Sequence, residues 1–96
     1  MEKYWRFNMQ PKTILEEAIL TIENREYSHG NYEENLKTAA DLFSVYLNKN
    51  IMPADVCVLL TLLKISRIKC GEPKKDHFVD ICGYTALAAS LSGVEK

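Results

Sequence analysis

A chain of 96 residues and 11.0 kDa has the length of a single domain. Hydrophobic residues make up 47% and charged ones 26%, a globular balance that excludes disorder, collagen-like repeats and low-complexity scaffolds. Twelve basic against thirteen acidic side chains leave a net charge of −1, so the charge balance favours neither nucleic acid nor an anionic membrane as a partner.

The first stretch, 1–12, reads as an aromatic arm, with Tyr4, Trp5 and Phe7 interleaved with Lys3 and Arg6 and ended by Pro11. Such an arm is expected to dock on its own surface or a partner's rather than to stack on bases. A single helical domain should occupy 13–93. Lys3 and Arg6 lead into Met9-Gln10-Pro11 and not into an apolar run, so no export signal is expected. The longest apolar stretch, Val56 to Leu63, is too short to span a bilayer. Cys57, Cys70 and Cys82 show no close CxxC spacing, and reduced structural thiols in a cytoplasmic protein are the expectation.

Thr13-Ile14-Leu15-Glu16 has the form of a capping box and opens a first helix. Leu15, Ala18, Ile19 and Ile22 share one of its faces, and Ser28-His29-Gly30-Asn31 should end it near Tyr27. A second helix, from about Tyr32 to Leu47, carries Leu36, Ala39, Ala40, Phe43 and Leu47 as its stripe and stops at Asn48-Lys49-Asn50. Pro53 suits the first turn of a third helix, with Asp55 at the positive end of its dipole. From Val56 to Ile65 only Thr61 and Lys64 are polar, and a helix so apolar is central or covered by a second subunit. Gly71 and Pro73 close it. A fourth helix should begin at Asp76, bury Val79, Cys82, Ala86 and Ala89, and end at Ser92-Gly93. The expected fold is all-α, a bundle of roughly four helices, dimeric or of higher order.

The polar residues within the apolar helices are the candidate site. Lys64 and Arg67 lie three apart on the third helix, while Asp76, Asp80 and Tyr84 lie four apart on the fourth. A short link makes these helices antiparallel neighbours, which sets two cations against two carboxylates and a phenol. One reading is a buried ion-pair ladder that offsets the cost of burying Lys64. Another is a ligand site, in which Asp76 and Asp80 hold Mg²⁺ while Lys64 and Arg67 meet phosphate oxygens. A third is a device that sets oligomer register. His29 and His77 read as solvated residues, and Gly30 lacks the neighbours of a phosphate-binding loop.

From Arg25 to Ala88 the order of features resembles a family of phage and prophage proteins of unassigned function. The carriers include Arg25, Tyr27 and Gly30, Asn35-Leu36, Leu63-Lys64-Ile65-Ser66-Arg67, Asp76, and Asp80-Ile81-Cys82-Gly83-Tyr84. That resemblance covers about two-thirds of the chain and implies the cytoplasm of a host cell as the setting. More distantly, the helix order is similar to the all-α nucleoside triphosphate pyrophosphatases of the MazG type. Those use an ExxE and a later ExxD to hold Mg²⁺. Asp80 matches the final Asp, whereas His77 stands at the Glu before it and Lys37 at the second Glu counted from Glu34. The resemblance implies a degenerate site that binds a nucleotide or other phosphorylated small molecule with Mg²⁺. The alternative is a non-enzymatic homo-oligomeric interaction protein whose polar ladder is structural.

Overall fold

The computed structural model describes residues 10–29 and 31–93, with the backbone alone described at 26–29. Residues 1–9 of the expected arm 1–12, Gly30 and the side chain of His29 lie outside the described residues. Four helices follow one another: α1 (Pro11–His29), α2 (Tyr32–Leu47), α3 (Pro53–Cys70) and α4 (Lys75–Leu91). Among the described residues the fold is all-α.

The ends of these helices follow local chemistry. Pro11 takes the first position of α1, where its missing N–H is no loss. The Gln10 carbonyl accepts from the backbone N–H of Thr13 at 3.0 Å and of Ile14 at 3.3 Å. Thr13 therefore lies inside the first turn and does not cap it, two residues later than the true start. The helix also outlasts Tyr27 and reaches His29. Asn31 caps α2 by accepting the Glu33 N–H at 2.7 Å. Asn48 ends α2 in the left-handed region at φ 54°, a conformation asparagine tolerates better than most residues. The chain then turns back on Ser44, whose hydroxyl accepts the Ile51 N–H at 2.9 Å and lies 3.1 Å from the Ile51 carbonyl. Pro53 opens α3 as expected, and the Asp55 carboxylate accepts the Met52 N–H at 2.8 Å.

Packing runs in the order α1, α4, α3, α2. The α3–α4 hairpin is the most extensive contact, α1 lies on α4, α2 lies on α3, and α1 barely touches α2. Among the described residues the core is small, with Ala18, Ala40, Val56, Cys57, Val79 and Leu87 as its buried apolar residues. Burial pushes the Cys57 thiol up from the ordinary cysteine range, so it stays protonated at neutral pH. The Thr61 hydroxyl is buried too and donates to the Cys57 carbonyl at 2.9 Å. All three cysteines are free; Cys70 is exposed and Cys82 half-buried.

Two expected faces are corrected. On α4 the buried stripe is Val79, Gly83 and Leu87, while Ala86 and Ala89 are exposed. The stripe is turned because Gly83 backs onto Ile22 of α1. On α1, Ala18 is buried and Ile22 half-buried, but Leu15 and Ile19 are more than half exposed. Nor is α3 covered all round. Val56, Cys57 and Thr61 are buried, whereas Val58, Leu59, Leu62, Leu63 and Ile65 are 43–54% exposed.

A Cβ added at Gly83 would meet Ile22 Cγ1 at 3.8 Å, an ordinary contact. Gly83→Ala is therefore expected to stabilise the protein by about 0.5–1 kcal/mol, through helix propensity and a less free unfolded chain. Thermal unfolding checks this, and a lowered midpoint would mean that α1 and α4 lie closer than this geometry allows.

Candidate functional site

The α3–α4 hairpin turns over a four-residue link, 71–74, so positions at similar distances from it come face to face. Lys64 and Asp80 are such a pair. The Lys64 ammonium lies 2.8 Å from Asp80 Oδ2, with the two side chains only 16% and 15% exposed. This is the expected antiparallel contact between the lines of cations and carboxylates, reduced to one rung.

The other rungs go elsewhere. Asp76 is exposed and makes no ion pair among the described residues. Arg67 lines an open surface hollow with Cys70, Glu72, Lys74 and His77, away from Asp80. His77, expected in solvent, is half-buried, and its enclosed Nδ1 has no hydrogen-bond partner among the described residues. Helix α4 is fastened to α1 at that end by Lys75, whose ammonium lies 2.9 Å from Glu17 Oε1. That hydrogen bond lifts the Lys75 ammonium above the ordinary lysine range.

Arg25 of α1 takes the place expected of Arg67. Its Nη2 lies 3.8 Å from Asp80 Oδ1, and its Nη1 donates to the Tyr84 hydroxyl at 3.2 Å. The guanidinium carbon also stands 5.2 Å from the centre of the Tyr84 ring, a cation–π arrangement. The signal for Arg25 was present on α1. It continues the Ala18–Ile22 stripe by three residues, so a charge falls on the face that packs against α4.

Because α1 and α2 barely touch, the bundle is open between them. A cleft of about 240 Å³ lies there, lined by Arg25, Tyr32, Asn35, Leu36, Leu60, Tyr84 and Leu87, from all four helices. Its walls are apolar and aromatic, with one guanidinium and one amide at the edge. Two cations around the single Asp80 carboxylate leave this network with one excess positive charge. Among the described residues, no three His, Cys, Asp or Glu side chains come together to hold a metal ion. Nor is any helix long and apolar enough to cross a membrane.

Residues 13–92 match the family model described as a domain of unknown function, DUF6378. Over 81 residues the chain is 43% identical to the Gene 55 protein of Mycobacterium phage D29. That stretch is 83% of this chain and 54% of the phage protein, so the chain spans about half the length of that relative. No solved structure matches the chain.

The geometry ranks two substitutions. Asp80→Asn leaves both Lys64 and Arg25 without their carboxylate and should cost about 2 kcal/mol, less than a fully buried pair because water still reaches it. Lys64→Met keeps the packing and leaves Asp80 with Arg25, so about 1 kcal/mol or less is expected. Urea unfolding of the two variants checks the order, and equal losses would mean that Arg25 does not share Asp80.

Proposed function

The chain belongs to the DUF6378 family, alongside phage proteins of unassigned function, and on that footing we propose that it binds a phosphorylated small molecule in the four-helix cleft. The observation that carries this reading is the Arg25 guanidinium, 45% exposed and standing over Tyr84 at the wall of the cleft. Its position lets it meet an anionic group, while Tyr32, Leu36, Leu60 and Leu87 receive a planar or apolar part. At about 240 Å³ the cleft suits a small ligand.

In this reading Asp80 holds the cations and Lys64 adds positive potential behind Arg25. Mg²⁺ held by Asp76 and Asp80 would first have to displace the Lys64 ammonium at 2.8 Å, so the cations carry the proposal rather than a metal. The degenerate MazG-like core, with a nucleotide as the ligand, is the form the distant resemblance gives to it. The host-cell cytoplasm is the proposed setting.

The test is a thermal-shift series with nucleoside mono- and triphosphates, with and without Mg²⁺, on the natural sequence and Arg25→Gln. A ligand at about a hundred times its Kd should stabilise by about 2.7 kcal/mol, roughly 10 °C in a chain this small. That shift should vanish in Arg25→Gln. A flat response to every phosphate, or a shift that survives the substitution, contradicts the reading.

A second reading is a homo-oligomeric interaction protein in which the Lys64–Asp80–Arg25 network is purely structural. What favours it is the exposure of large apolar side chains on the outer faces of α2 and α3, among them Tyr46 at 86% and Leu62 at 54%. Light scattering decides it, since a particle of one 11.0 kDa chain at micromolar concentration contradicts an oligomer.

A further inference from the structure

Helices α2 and α3 form a groove of about 330 Å³ lined by Phe43, Tyr46, Leu47, Leu59, Leu60 and Leu63. No charged residue lines it. Its rim also projects, because Tyr46, one of the lining residues, is 86% exposed. A knob and a hole therefore lie on one surface. This is the arrangement that a two-fold axis needs, because each copy can then place its knob in the other's hole.

We infer that this groove is the face through which two copies of the chain pair, α2 and α3 of one against α2 and α3 of the other, with each Tyr46 seated in its partner's groove. The inference rests on the oligomeric reading above and assigns it a surface.

Area supports a second copy. Phe43, Tyr46, Leu47, Leu59, Leu62 and Leu63 are 37–86% exposed. At roughly 100 Å² apiece they offer about 600 Å² per copy and about 1,200 Å² per pair, the lower edge of a specific interface. Composition supports it as well. A lining without charge resembles a homodimer interface more than the mixed surface of a transient complex. The small core adds a third argument. Among the described residues, two of the six buried apolar side chains are alanines and one is a cysteine, so the chain gains from a cover over this face. A second copy is that cover. The proposed face lies on α2 and the outer side of α3, whereas Lys64, Asp80 and Arg25 join α3, α4 and α1. Pairing there leaves that network intact.

The experiment is light scattering across a concentration series on the full chain, with Tyr46→Lys and Leu63→Glu as variants. A two-chain particle that each variant converts to a single folded chain supports the inference, with the dissociation constant rising at least a hundredfold. A single chain at the highest concentration overturns this inference and the oligomeric reading together. A two-chain particle that both variants leave unchanged overturns the interface alone, and oligomerisation then uses another surface. If either variant loses its helical circular dichroism, hydrogen exchange on the natural sequence decides. Protection that grows with concentration in 42–47 and 58–65 supports the face, and growth confined to α1 or α4 overturns it.

Discussion

Three helices meet where the Asp80 carboxylate has to be neutralised, and that requirement sets the rest of the arrangement. At 15% exposure water supplies little of the solvation a carboxylate needs, so cations must come from neighbouring helices. Lys64 arrives from α3 at 2.8 Å and Arg25 from α1 at 3.8 Å. Among the described residues the buried apolar side chains are mostly small, and they do little to choose one register of α4 over the next. A charge that tolerates one position does choose, because sliding α4 by a turn would separate Asp80 from both cations.

The open side of the bundle follows from the same geometry. Arg25 ties α1 to α4, and Ser44 ties the end of α2 back toward α3 through Ile51. Contacts between α1 and α2 are sparse among the described residues, and a cleft lies between them. The side chains that fasten α1 to α4 also form its polar edge. The proposed ligand site thus shares residues with the packing, and a fold role for Asp80 is compatible with the binding role proposed for Arg25.

The local features were legible from sequence because each depends on a few adjacent residues: Pro53 and Asp55 at the start of α3, Asn48 at the end of α2. Lys64–Asp80 was legible too, since the short link makes a 16-residue separation behave as a nearly local contact. Arg67 and Asp76 failed to join it because steps of three and four residues turn a side chain about 60° and 40° off the contact line, and both residues are exposed. Arg25 was harder still: its place on the α1 stripe was readable, but Tyr84 is 59 residues away, and the packing of α1 on α4 joins them. The buried face of α4 was displaced by one residue after Val79. Gly83 carries no hydrophobic signal, yet it is where another helix comes close. The exposure of α3 was half legible: its composition demanded a cover, and composition does not say whether the same chain supplies it.

The most direct measurement is a double-mutant cycle on Lys64 and Asp80, using Lys64→Met, Asp80→Asn and the pair, each followed by urea unfolding. The account predicts a coupling of about 1–2 kcal/mol, because Asp80→Asn leaves the Lys64 charge partly buried without its carboxylate and the double change removes that charge. Additivity within about 0.5 kcal/mol would contradict it. In that case the ion pair would not hold α3 to α4, and the register of α4 would rest on its small apolar stripe alone.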